Sequence, residues 1–182
     1  MNILGIIASS KFGDVGDFES IATTTLSTTT ATVTFSSIPA TYTHLQIRAL
    51  IRMAKSSEDY LTTTFNSGTD VTARHLLTGN GSTASASGGS GTGQDFGPFP
   101  NSSHTASIFG VLILDILDYS NTNKLKQFKA HLGNDRNGSG QQVFSMGYWT
   151  EAGTAMNSLT FTMGASDTLS QYSDIALYGI KG

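Results

Sequence analysis

Apolar residues recur at every second position in run after run of this chain, and a period of two confines it to a fold built from sheets. Leu45, Ile47, Ala49, Ile51 and Met53 share one parity, with Gln46, Arg48 and Arg52 on the other. Ala31, Val33 and Phe35 alternate with Thr32, Thr34 and Ser36 in the same way. So do Phe128, Ala130 and Leu132 with Gln127, Lys129 and His131, and Leu159, Phe161 and Met163 with Thr160 and Thr162. A strand sends successive side chains to opposite faces, so each run reads as a strand with one buried face. Strands are expected at roughly 19–27, 30–38, 43–54, 60–66, 108–119, 124–134, 141–150, 157–164 and 173–181. Residues 71–78 fit either a short helix or a further strand.

One run breaks the alternation. Val111-Leu112-Ile113-Leu114-Asp115-Ile116-Leu117 is apolar at both parities. That pattern predicts a central strand covered on both sides, by the partner sheet and by a further layer, either a loop or another subunit. Asp115 and Asp118 interrupt it three residues apart, which places them on opposite faces. One of them is expected to pair with Arg48 or Arg52.

Short strands separated by turn clusters predict an all-β, antiparallel β-sandwich or jelly roll. The length of 182 residues suits one such domain. Charged residues make up 13% of the chain, about half the usual share, and polarity comes instead from Ser, Thr, Asn and Gly. Threonine favours strands because its β-branch sits well on a pleated surface. The net charge of −3 argues against a nucleic-acid partner, which selects for a basic stripe. Lys124, Lys126 and Lys129, the densest basic group, read as a solvated strand edge. There is no cysteine, so stability must come from packing and association.

Residues 1–18 stand apart as an N-terminal arm or docking segment, with the sandwich over 19–182. The run Ile3-Leu4-Gly5-Ile6-Ile7-Ala8 is too short to span a membrane and lacks the basic flank of an export signal. Two expectations follow: a first strand tucked into its own sheet, or an extended arm in which Ile3, Leu4, Ile6, Ile7 and Phe12 dock on a neighbour. The stretch 79–104 is expected to be a long Gly/Ser-rich loop, pinned at its far end by Phe96-Gly97-Pro98-Phe99-Pro100.

Chemistry-bearing patterns are sparse. Gly79-Asn80-Gly81 lacks the Lys-Ser/Thr and the following helix that a phosphate loop needs. His44, His75, His104 and His131 are too widely spaced to form a local ligand pair. Asp135-x-Asn137-x-Ser139-Gly140 begins like a calcium loop, but the position of its bidentate Glu is Met146, and a tight hairpin explains the same residues. No nucleophile elbow is present, and Asp115 with Asp118 does not make a paired-carboxylate site by spacing. No catalytic residue, metal ligand or cofactor is therefore assigned, and the chain is not expected to be an enzyme. Tyr148 and Trp149, with Phe96 and Phe99, are the candidate ligand or partner surface, since aromatic faces suit both sugar rings and protein interfaces.

Three segments carry a family likeness: Phe35-Ser36-Ser37-Ile38-Pro39-Ala40-Thr41-Tyr42-Thr43-His44-Leu45-Gln46-Ile47-Arg48, then Gly147-Tyr148-Trp149 with Leu159-Thr160-Phe161-Thr162, then Ile175-Ala176-Leu177-Tyr178-Gly179-Ile180-Lys181. In this order they resemble small all-β virion proteins of tailed bacteriophages, over about Glu19 to Lys181. The resemblance implies a jelly-roll-like body and a place in the virion as a head decoration, head-fibre or tail-fibre-associated component. It implies as partners copies of the chain itself, in a homotrimer or another symmetric multimer, and phage capsid or tail proteins. The alternative on the same fold is a carbohydrate- or host-receptor-binding module of a tail fibre, with a host-surface glycan as partner.

Overall fold

The structure is a computed structural model, and it describes residues 17–56, 60–66, 72–91, 94–151, 153–164 and 167–182. The arm residues Ile3, Leu4, Ile6, Ile7 and Phe12 lie outside the described residues. The protein is all-β: β1 (Phe18–Thr25), β2 (Thr32–Phe35), β3 (His44–Ile51), β4 (Tyr60–Phe65), β5 (Thr72–Gly79), β6 (Ala84–Gly91), β7 (Gln94–Pro98), β8 (Gly110–Leu117), β9 (Lys126–Asp135), β10 (Gly140–Trp149), β11 (Leu159–Met163) and β12 (Asp174–Ile180). Two sheets form a sandwich. The larger runs β1-β12-β3-β8-β9-β10-β5-β6 and the smaller β2-β11-β4-β7. Every pairing is antiparallel.

The alternation read in the sequence is the alternation between core and exterior. Leu45, Ile47, Ala49 and Ile51 of β3 are buried, as are Leu112, Leu114 and Ile116 of β8 and Phe128, Ala130 and Leu132 of β9. Val33, Phe35, Leu61, Phe65, Leu159 and Phe161 meet them from the smaller sheet. Aromatic rings tie the layers together: Phe65 lies 5.3 Å from Phe128 and 6.2 Å from Trp149, centroid to centroid. Thr63, between Leu61 and Phe65 on β4, is the polar intruder, fully buried with an Oγ1 that has no hydrogen-bond partner.

Two differences from the sequence expectation stand out. The stretch 79–104 is not one loop, because β6 and β7 lie inside it. Asn80 makes the turn that starts β6: its side-chain oxygen accepts the backbone N–H groups of Ser82 and Thr83, and Gly81 takes a left-handed φ of 90°. The whole of β6 then pairs with β5 despite its Ser/Gly composition. Beyond it, Phe96 and Phe99 are fully buried and do pin the segment. Of the segment 71–78, the described residues 72–78 belong to strand β5, the second of the two expected alternatives.

The second difference concerns Lys126, which is not on a solvated edge. It is fully buried at the start of β9, with Nζ donating to the carbonyls of Glu151 and Thr154 and lying 5.1 Å from the Trp149 ring centroid. Burial pushes its amine below the ordinary lysine range. The expected hairpin at 133–140 is present. Arg136 donates to the Ser139 carbonyl across Asn137 and Gly138, both at positive φ, as a two-residue turn between twisted strands requires.

Candidate functional site

The parity that buries one face of the larger sheet leaves the other facing outward, and there β8 explains its double apolar pattern. Leu112, Leu114 and Ile116 fill the core, while Val111, Ile113 and Leu117 point out and stay exposed. No layer of the described chain covers them. The antiparallel register arranges the outward side chains in cross-strand rows. The central row runs Arg48, Ile113, His131, Phe144, Leu77 across β3, β8, β9, β10 and β5. One row toward the Tyr178 end lie Gln46, Asp115, Lys129, Met146 and His75. On the opposite side lie Leu50, Val111, Gly133 and Gln142.

This face is apolar to a degree unusual for a solvated surface. Phe144 is 55% exposed, Met146 54% and Leu77 53%, and Leu50 is similarly open. Between β5 and β8 the sheet forms a depression of about 550 Å³, lined by Leu77, Ile113, His131, Phe144 and Met146. His131 stacks flat on Phe144 at 4.5 Å and 3°, with Nε2 2.6 Å from Gln142 Oε1. Its polar members are few and already joined. Gln46 Nε2 donates to Asp115 Oδ1 at 2.7 Å, Arg48 Nε donates to Gln46 Oε1 at 2.8 Å, and Lys129 Nζ lies 3.6 Å from Asp115. Arg48 also covers the Phe18 and Tyr178 rings at 5.1 and 5.7 Å.

The sequence-based site residues are distributed differently. Trp149, Phe96 and Phe99 have no exposure and belong to the core, so a ligand surface built on them is not available. Tyr148 alone of the four reaches the exterior, on the outward parity of β10. Asp115 and Asp118 do lie apart, but neither pairs with an arginine. Asp118 binds Lys124 at 2.7 Å and approaches His44, and the lysine holds its carboxyl below the usual range. Arg52 instead donates to the carbonyls of His104, Thr105 and Ile108, fastening the loop before β8. Among the described residues, no three His, Asp or Glu side chains are grouped to hold a metal ion. The outward apolar stripe of β8 was visible in sequence, whereas the grouping of Phe144, Met146 and Leu77 was not, because they come from two strands that only the register aligns.

A second concavity, of about 580 Å³, is polar and lies where β5 and β6 overhang β7 and β4. Tyr60, Arg74, Ser85, Ser87 and Gln141 line it. Comparison of the chain with protein-family models, with curated proteins and with solved structures returned no match.

Proposed function

We propose that this protein is a non-enzymatic structural component of a tailed-bacteriophage particle, a capsid decoration, head-fibre or fibre-base protein that docks through residues 1–18. The observation that carries the reading is the outward face of the larger sheet, an apolar surface too wide and too open for a solute and suited to association with protein. The family likeness of the segments around Phe35–Arg48, Gly147–Trp149 and Ile175–Lys181 supplies the setting. A jelly-roll reading of the sandwich is supported by strand order. The layers β1-β12-β3-β8 and β2-β11-β4-β7 interleave along the chain as eight jelly-roll strands do, with the β5–β6 and β9–β10 hairpins widening one layer. The direct test is to band particles of the encoding virus by density and probe them with antibody raised against this chain. A fixed ratio to the major capsid protein supports the proposal, and absence from intact particles overturns it.

The polar cleft favours one alternative, a carbohydrate-binding module. Hydroxyls from Ser85 and Ser87, the Gln141 amide and the half-exposed Tyr60 ring match what a sugar offers. Saturable binding on a glycan array, lost in Tyr60→Ala, would favour it, and a blank array would retire it.

A further inference from the structure

We infer that the outward face of the eight-stranded sheet is the interface between two copies of this chain, packed sheet on sheet about a two-fold axis that runs along the strands between β8 and β9. The inference concerns pairing alone and does not depend on where the protein works.

Area is the first argument. The exposed parts of Leu50, Val111, Ile113, Leu117, Leu77, Phe144 and Met146 sum to roughly 700 Å² of apolar surface, above what a monomer ordinarily leaves in water. A stable interface of ordinary size takes about 800 Å² from each partner, so the patch and its polar members match one such footprint. Homodimer interfaces are also the more apolar kind.

Self-complementarity is the second argument. A two-fold along the strands exchanges β8 with β9, β3 with β10 and β12 with β5, and it keeps each cross-strand row at its own height. Asp115 of one copy then stands over Lys129 of the other, and the reverse, so two ion pairs form where a shifted register would oppose like charges. Arg48 of the second copy comes over the exposed Phe144 ring, the contact it already makes with Phe18 and Tyr178. Val111 of the second copy comes over Gly133, where the Gln142 amide already lies, and Leu50 meets the Gln142 stem. Twisted sheets pack face to face at about 10 Å with strands within some 30° of parallel, which preserves this neighbourhood.

The test is light scattering behind size exclusion on the full chain at roughly 100 µM, beside Phe144→Glu/Met146→Glu and Leu77→Lys. The expected result is twice the 19.2 kDa chain mass for the native protein. Dissociation should become at least about a hundredfold easier in both variants, since each places a charge within the buried face, Phe144 and Met146 beside its axis and Leu77 farther out on β5. Their melting curves, taken at concentrations where the native protein is also monomeric, should match it and so separate loss of pairing from loss of fold. Lys129→Asp should weaken pairing and Asp115→Lys/Lys129→Asp should restore it. A native monomer at this concentration overturns the inference. So does a dimer that survives all three face substitutions, or one that is lost only when residues 1–16 are removed.

Discussion

At the scale of single residues, Thr63 and Glu19 show how much one polar atom matters. Thr63 Oγ1 is buried among Leu61, Phe65 and the facing core with nothing to bond, so the folded state bears its desolvation without return. Thr63→Val removes the hydroxyl at nearly constant shape and should raise stability by about 1 kcal/mol, read as a higher urea midpoint at unchanged slope. Glu19 is the opposite case. It accepts from the Tyr42 hydroxyl at 2.7 Å and from Lys181 at 3.1 Å. The Tyr42 bond is the largest influence and lowers its carboxyl, burial opposes it, and the Lys181 bond and charge add to the lowering, so the group stays below its ordinary value. The unfolded chain therefore takes up this proton at higher pH than the folded one. The stabilisation is complete above the unfolded value and disappears as pH falls through the folded value, as it does for Asp118. Urea midpoints measured from about pH 6 down to pH 3 should fall, and Glu19→Gln should flatten that decline. Legibility at this scale follows parity. Phe128, Ala130 and Leu132 mark the inward side of β9, and counting back by two puts Lys126 there as well, which its charge concealed. Trp149 shares the parity of buried Val143, so its place in the core was readable from the same count. The bare hydroxyl of Thr63 was not, because whether a buried oxygen finds a partner depends on residues distant in sequence.

At the scale of elements, the alternating runs marked nine of the strands to within a few residues, and the absence of β6 from them has a physical reason. Period two is visible only when one face of a strand is buried. In β6 both faces are exposed from Ala84 to Ser90, so its Ser/Gly sequence has nothing to alternate and reads like a linker. Its order comes from the backbone ladder with β5 and from the Asn80 turn, neither of which leaves a hydrophobic signature. Glycines within strands record a different constraint. A Cβ at position 147 would stand 2.3 Å from the Ala73 carbonyl oxygen and 2.8 Å from the Phe128 ring, because β5 and the core ring close over β10 there. At Gly138, in the β9–β10 turn, a Cβ meets nothing within 4 Å, and only its φ of 101° resists a side chain. Gly147→Ala should therefore cost about 3 kcal/mol or more, while Gly138→Ala costs about 1 kcal/mol. Paired denaturant titrations would check the ranking, which fails if the turn substitution proves the more damaging.

At the scale of the molecule, the two ends of the described chain lie side by side. β1 pairs along its length with β12, and Lys181 donates its backbone N–H to the Asp17 carbonyl at 2.9 Å. β12 in turn separates β1 from β3, so the last strand is interior to the sheet and the first is its edge. These positions predict unequal effects of trimming. A chain that begins at Asp17 keeps all twelve described strands, the Glu19–Tyr42 and Glu19–Lys181 contacts and the core that the described residues form. It should melt within a few degrees of the full-length protein, a difference below about 1 kcal/mol for a domain of this size. Removing residues up to Thr25 as well takes away β1, uncovers the ladder groups of β12 and frees Tyr42 of its carboxylate partner. That chain should melt markedly lower and aggregate on concentration, because the newly bared strand is an unprotected edge. Deleting from Ser173 onward removes Ile175 and Leu177 from the core and splits the sheet between β1 and β3, and no cooperative transition should remain. Thermal unfolding followed by circular dichroism on the three truncations decides this ordering. The Asp17 chain also isolates the contribution of residues 1–16. If it keeps the melting temperature but no longer enters particles, those residues act in docking and not in folding. If it fails to fold, they form part of the body and the division of the chain at residue 18 is wrong.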